Sequence, residues 1–165
     1  MTQLGVSMKK ALILCFLFAF FPLAQAKECI WIGTGSCDWQ DAENWEDGIT
    51  PDASGNDSVI FTNQLPVVIR TDPNAFARSL HVGGEDVTMT GAVVHLTSGC
   101  IDVAQRAQLT IKSTLTGNQI QPFTKSGKGT LLCENQCLYF KGMEVQQGKL
   151  ILASPWGDSI QCARP

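Results

Sequence analysis

The chain has 165 residues, with 12 basic and 15 acidic side chains and a formal net charge of −3 at pH 7. This acidic balance argues against nucleic acids and anionic membrane surfaces as partners. The length is enough for one domain with a sizeable hydrophobic core.

A secretory signal peptide is predicted over residues 1–26. Lys9 and Lys10 supply a positive start, Ala11–Leu23 is almost wholly apolar, and Ala24-Gln25-Ala26 matches the small-residue rule for cleavage. Without those two lysines the net charge becomes −5. No later segment is apolar enough to span a bilayer. The sequence therefore predicts an exported protein with no transmembrane segment after signal cleavage.

Six cysteines follow the predicted signal peptide. An even number of cysteines in an exported chain is typical of disulfides, although their connectivity cannot be deduced from sequence. The cysteines are too dispersed for a zinc site, and we expect no metal and no cofactor. The candidates for disulfides are Cys29, Cys37, Cys100, Cys133, Cys137 and Cys162.

Residues 27–57 are rich in tryptophan, glycine and acids. The stretch WQDAENW predicts one or two helical turns with Asp38 as the N-cap. Trp31, Trp39 and Trp45 are interpreted as a cap that shields the open end of a stack of strands; the alternative is a platform on which sugars stack. The acids between Asp38 and Asp57 are interpreted as a solvated surface, with a calcium site as the alternative.

Residues 58–152 read as one short strand after another. Apolar and polar residues alternate, as in Ile101 and Val103, and single glycines separate the runs. An Asp-Gly pair, the usual hairpin signal, occurs only at Asp47-Gly48, before this region. The pattern therefore predicts an all-β fold, a short right-handed parallel β-helix of about four rungs. The alternative is an antiparallel β-sandwich.

No catalytic site is predicted. Asp102 shows no second carboxylate in a pattern typical of glycoside chemistry. His81 and His95 lie in strand patterns, and no G-x-S-x-G turn is present. We expect a protein that is not an enzyme.

Thirty residues from Phe123 to Leu152 carry a motif of regularly spaced glycines, apolar residues, one lysine and one tyrosine. They resemble the autotransporter-associated β-strand repeat, although Cys133 and Cys137 replace an apolar and a small polar residue. The segment Trp31–Phe61 is similar to the start of many such passenger domains. The motif positions are Phe123, Lys125, Gly127, Gly129, Leu131, Tyr139, Gly142, Val145, Gly148, Leu150 and Leu152.

The resemblance implies an exported, non-enzymatic bacterial β-solenoid, an adhesin or a surface-structure fragment. It implies the outer membrane surface or the extracellular space, with the periplasm as an alternative, and partners among host or matrix surface molecules. Residues 153–165 are interpreted as a truncated tail that leaves the last rung open for self-association. The alternative function is a small secreted carbohydrate-binding module; a polysaccharide-active enzyme on a β-helix is a third hypothesis.

Overall fold

The computed structural model describes residues 26–33, 36–118, 120–138, 141–153 and 159–164. The described residues form fourteen strands and two short 3-10 turns, Ala42–Asn44 and Glu46–Gly48. The strands are β1 (Glu28–Trp31), β2 (Ser58–Phe61), β3 (Val67–Arg70), β4 (Asn74–Val82), β5 (Val87–Thr90), β6 (Val93–Val103), β7 (Gln108–Ile111), β8 (Thr114–Gly117), β9 (Phe123–Ser126), β10 (Thr130–Cys133), β11 (Cys137–Leu138), β12 (Met143–Val145), β13 (Gly148–Ala153) and β14 (Ser159–Arg164).

The strands stack as a parallel β-solenoid of about four coils. Every pairing between the strands from β1 to β13 is parallel, which is the arrangement of a coil whose strands lie on the equivalent strands of the next turn. The predicted solenoid is confirmed, and the alternative antiparallel sandwich is wrong. The physical reason is that short corners send the chain around the axis instead of back along the same sheet.

The coil has three faces. The first face is formed by β1, β2, the C-terminal halves of β4 and β6, β9 and β12. The second face is formed by β3, β5, β7, β10 and β13. The third face is formed by the N-terminal halves of β4 and β6, β8 and β11. The long strands β4 and β6 turn a corner, so the first and third faces belong to one sheet.

Register across the first face sets the length of a coil. Ser58 pairs with Ser79, Ser79 with Cys100, and Cys100 with Thr124. Hydrogen bonds between equivalent positions on successive coils therefore span 21 residues, or 24 where the corner after β8 is longer. Each outward side chain lies above its counterpart one coil earlier.

The interior is filled by the alternate residues of each strand. On the first face the inward positions Val59, Leu80 and Ile101 lie in register and are at most 1% exposed. Burying a side chain of this kind stabilises the fold by about 1.5–3 kcal/mol. The next residue in this ladder is Lys125, which is fully buried. The fourth coil therefore departs from a purely aliphatic core.

Glycines occupy corners where a side chain would not fit. Gly127 and Gly148 adopt φ values of +72° and +71°, which L-residues other than glycine rarely tolerate. A Cβ on Gly148 would also overlap the carbonyl oxygens of Gly127 and Gly129. The prediction that these motif glycines form corners agrees with this geometry.

The N-terminal cap contains more of the stack than predicted. Strand β1 lies inside residues 27–57 yet pairs in parallel with β2, so the stack begins at Glu28. The N-cap of the first 3-10 turn is Asp41, whose carboxylate accepts from the Glu43 amide at 3.1 Å. The predicted N-cap Asp38 instead accepts from the Gln40 amide, because a tight turn precedes the helical one.

The C-terminal end is covered on one sheet. Strand β14 pairs antiparallel with β13 over six residues, from Gly148 with Arg164 to Ala153 with Ser159. The prediction that the last rung is open is therefore wrong for the six-stranded sheet. The pattern did not show it because β14 runs against the direction of every earlier strand. Trp156 lies outside the described residues.

Candidate functional site

A row of polar side chains on the outside of the first face is the most organised cluster of reactive groups in the described residues. Asp102 lies at its centre. Its carboxylate is 2.9 Å from Nδ1 of His81 and accepts a hydrogen bond of 2.7 Å from the Ser126 hydroxyl. We call His81, Asp102 and Ser126 the polar ladder.

Strand register brings the three residues of the polar ladder together. His81 pairs with Asp102 across β4 and β6, and Asp102 pairs with Ser126 across β6 and β9. Because side chains alternate along a strand, the flanking Leu80 and Ile101 point into the core while the ladder faces solvent. The side chains of His81 and Asp102 are 48% and 34% exposed.

The order of groups in the ladder differs from that of a nucleophilic triad. In such a triad the imidazole lies between the carboxylate and the hydroxyl and takes the hydroxyl proton. Here the carboxylate lies between, so the Ser126 hydroxyl donates to Asp102 and has no histidine beside it. His95 lies on the third face, where its Nδ1 is 2.8 Å from Oγ1 of Thr116. The ladder is suited to hold neighbouring coils together and to present polar groups.

The ammonium of Lys125 is hydrogen-bonded to the backbone of a corner. Its ammonium donates to the carbonyl oxygens of Ser126, Gly127 and Gln147 at 2.5, 2.8 and 3.4 Å. Burial lowers the pKa of Lys125, while the negative charge of Asp102 opposes this effect. An ammonium that is committed to three backbone oxygens is a structural group, not a free base.

The carboxylates of the cap accept hydrogen bonds from groups of the cap itself. Asp41 accepts from the Ser36 hydroxyl at 2.7 Å, and this bond is the main reason why its pKa is lowered. The pKa of Asp52 is lowered in the same way by Ser54. The buried Asp57 accepts from the amides of Lys27 and Asp52. Within the described residues no group of three His, Cys, Asp or Glu side chains that could hold a metal ion is present.

The three cap tryptophans are packed together and offer no platform for sugars. Trp31, Trp39 and Trp45 are 3%, 1% and 1% exposed. Trp45 meets Trp31 and Trp39 edge to face, with ring centroids 5.1 and 4.9 Å apart. Trp31 also contacts Phe61 of the first coil, so the indoles extend the solenoid core into the cap. Their geometry fits the predicted cap.

An open groove of about 570 Å³ lies beside the cap. Its lining includes Trp31, Ile32, Leu65, Pro66 and Val67. Leu65 is 74% exposed and Ile32 is 49% exposed. The groove is apolar at the N-terminal end of the second face, and it holds none of the residues of the polar ladder.

Residues of the predicted repeat motif divide between core and corners. The inward positions among them are buried, except Leu152, which is partly buried. Gly142 has open space where a side chain would lie. Tyr139 lies outside the described residues. The motif positions with side chains that are buried or partly buried are Phe123, Lys125, Leu131, Val145, Leu150 and Leu152.

The cysteines of the described residues carry free thiols in this structure. Cys29 and Cys133 are buried, Cys100 and Cys137 are partly buried, and Cys37 is exposed. Burial is the main reason why the pKa values of Cys29 and Cys100 are raised. For Cys162 only the backbone is described, so its predicted disulfide lies outside what the structure describes.

Together these features define the class of protein: a parallel β-solenoid with a tryptophan cap and an outward polar ladder. No family model matches the chain, and no curated protein or solved structure is significantly similar to it. The resemblance to the autotransporter repeat therefore stays a prediction. None of the described helical segments has the length and apolar character needed to cross a bilayer.

His81 and Asp102 could be identified from the sequence as candidate residues, but the contact between them could not be predicted. Ser126 was missed because its neighbours are set by the coil length, which is known only once the register is known. The signal that was available is the spacing of 21 and 24 residues between outward polar positions.

Proposed function

We propose that the protein is an exported, non-enzymatic β-solenoid that acts as an adhesin or a surface-structure element. The observation that carries this proposal is the continuous parallel stack, in which the reactive side chains make hydrogen bonds that hold the fold together. Lys125 donates a hydrogen bond to the Gly127 carbonyl at a corner, and Asp102 contacts His81 and Ser126 on the two neighbouring coils. What remains for function is shape and an outer surface.

Partners on a host or matrix surface suit such a rod. The outward positions recur on every coil, so a flat ligand can contact side chains of several coils at once. The net negative charge favours partners that are neutral or basic. The outer membrane surface or the extracellular space remains the proposed location.

A carbohydrate-binding module is the weaker alternative. The cap tryptophans that would stack on sugars are buried, and the fold is not the sandwich on which that hypothesis depended. No observation in the described residues favours it over the rod.

Fractionation of a Gram-negative host that expresses the full chain with a C-terminal tag tests export. We expect the mature protein outside the cytoplasm with Lys27 as its first residue. A Leu17→Arg variant, which interrupts the apolar run, is the control and should stay in the cytoplasm at full length. Cytoplasmic, uncleaved wild-type protein would overturn the proposal.

Binding and turnover are then measured on the same purified protein. Immobilised matrix proteins and polysaccharides are the probes, and heat-unfolded protein is the control. We expect retention by at least one surface that requires the folded chain, with no release of reducing ends from any polysaccharide. Release of products that is lost on Asp102→Asn would replace the proposal with an enzyme.

A further inference from the structure

The corner between the second and third faces of the fourth coil differs from the corner below it. Cys133 ends β10 and Cys137 begins β11. In the preceding coil the residues in register with them are Ile111 and Leu115. Two buried aliphatic side chains, one on each side of a corner, are thus replaced by two thiols. We call residues 133–137 the thiol corner.

The two thiols are close and face the same interior. Cys133 is 1% exposed, and Cys137 packs against the same core while remaining partly accessible. Each thiol shifts the pKa of the other, so the two side chains lie next to each other. Within the described residues no other cysteine shares this corner: Cys29 belongs to β1, Cys37 to the cap and Cys100 to the outer side of the first face.

The backbone of the thiol corner is held in place by the coil below. The Glu134 amide donates to the Ile111 carbonyl at 2.8 Å, and the Leu115 amide donates to the Gln136 carbonyl at 2.9 Å. The Asn135 side chain donates to the Lys112 carbonyl at 3.2 Å. The two cysteines therefore meet in a corner that is already ordered, and little freedom is lost when they are joined.

We propose that Cys133 and Cys137 form an intramolecular disulfide that closes the thiol corner. Its sulfur–sulfur bond would lie at the level that the buried side chains of Ile111 and Leu115 occupy one coil earlier. The bond is expected in the oxidising compartment to which the proposed function assigns the protein, and on that point the inference rests on the proposed function.

The partly accessible Cys137 is the attacking group. The hydrogen bond from Cys133 lowers the pKa of Cys137, whereas the same bond and burial raise the pKa of Cys133. The Cys137 thiolate attacks a small disulfide such as oxidised glutathione and releases one thiolate. Cys133 then loses its proton, attacks the Cys137 sulfur and releases the second thiolate. Two thiols are oxidised and one external disulfide is reduced.

Peptide mapping of the purified mature chain tests the bridge without any need for export. The protein is incubated folded with oxidised glutathione, its free thiols are alkylated after unfolding, and it is cut with trypsin. The peptide Gly129–Lys141 contains both cysteines. We expect it to be unalkylated and lighter by two hydrogen atoms than its reduced form. Further cleavage after Glu134 should give two fragments that separate only on reduction.

Alkylation of both cysteines after oxidation would overturn the inference, as would a link from either one to another cysteine. If the bridge forms in vitro and the protein is found uncleaved in the cytoplasm, the proposed function fails and the inference stands. These two failures are therefore distinguishable.

Thermal unfolding gives a second readout. Oxidation should raise the Tm of the wild-type chain by about 5 °C, because a short closed loop restricts the unfolded chain. The double variant Cys133→Val, Cys137→Val restores aliphatic side chains and should show no shift on oxidation. A Cys29→Val, Cys100→Ser variant is the matched control and should keep the shift. An equal shift in the Val double variant would overturn the assignment.

Discussion

The two ends of the solenoid are closed by different means. At the N-terminal end three indoles cover the core, and side-chain packing does the work. At the C-terminal end a reversed strand covers one sheet with backbone hydrogen bonds. The interior also changes from the N-terminal to the C-terminal end, from the aliphatic Val59, Leu80 and Ile101 to the charged Lys125.

The first and last coils therefore depend on different interactions. The N-terminal end gains most of its stability from apolar burial, which is insensitive to pH. The C-terminal end relies on groups that titrate, namely Lys125 and the thiol corner. Changes at the two ends should therefore be distinguishable by their size and by their response to alkaline pH, because the cap acids Asp41 and Asp52, whose pKa values are lowered, titrate only in acid.

Trp45→Ala should produce the largest effect. Trp45 is 1% exposed, lies between Trp31 and Trp39, and donates its indole N–H to the Trp39 carbonyl at 2.8 Å. Its loss should lower the free energy of unfolding by about 3–5 kcal/mol, measured by urea denaturation. Leu65→Ala, at a residue that is 74% exposed, is the control and should change stability by less than about 0.5 kcal/mol.

A pair of milder changes sharpens the account of the cap. The indole N–H of Trp31 has no hydrogen-bond partner among the described residues, whereas that of Trp45 has one. Trp45→Phe should therefore cost about 1 kcal/mol more than Trp31→Phe, in the same urea experiment. Equal losses in the two variants would show that the hydrogen bond of Trp45 contributes nothing.

Lys125→Met should have an intermediate effect at the other end. Methionine keeps an apolar stem of similar length but leaves the carbonyls of Ser126, Gly127 and Gln147 without their donor. We expect a loss of about 2 kcal/mol at pH 7 in chemical denaturation. The surface variant Lys128→Met on the same corner is the control. A Lys125→Met protein as stable as the wild type would mean that water replaces the ammonium at no cost.

The pH dependence of the same pair of proteins gives a smaller effect. Burial lowers the pKa of Lys125 below its usual value of 10.5. Between the two values the unfolded chain binds more protons than the folded one, so stability increases with pH. The wild type should therefore gain stability relative to Lys125→Met as pH rises from the lowered pKa to 10.5, in urea titrations at a series of pH values. A relative loss over this range would contradict the assignment.

His81→Ala should have the smallest effect. The pair of His81 and Asp102 is 2.9 Å apart but largely open to solvent, with side chains 48% and 34% exposed. Exposed pairs contribute less than about 1 kcal/mol. A double-mutant cycle with Asp102→Asn measures their coupling. A coupling energy well above that limit would show that the polar ladder contributes substantially to the stability of the first face.

Much of the fold could be predicted from the sequence because its causes are local. The alternation around Ile101 and Val103 marks strands with one buried face, and glycines such as Gly127 and Gly148 mark corners. The shortage of hairpin signals distinguished a coil from a sandwich. Strand β14 could not be predicted, because its pairing with β13 depends on the direction of the returning chain.

The candidate site was less predictable because it depends on register. His81, Asp102 and Ser126 are separated by coils of 21 and 24 residues, so the positions that face each other are known only once the length of each corner is known. Lys125 could be recognised as a motif residue. Its burial could not be predicted, because it depends on the pairing of Lys125 with Val145 of the next coil. The cap turn was assigned to Asp38 instead of Asp41, since both acids precede residues that suit a helical turn.

The reversed strand β14 has a consequence for polymerisation. A parallel stack can in principle grow into a filament when the first strand of one molecule docks on the last strand of another. On the six-stranded sheet the last strand runs opposite to all the others. A second molecule stacked in the same direction would therefore pair antiparallel with β14, so the junction between two molecules would differ from every pairing inside the parallel stack.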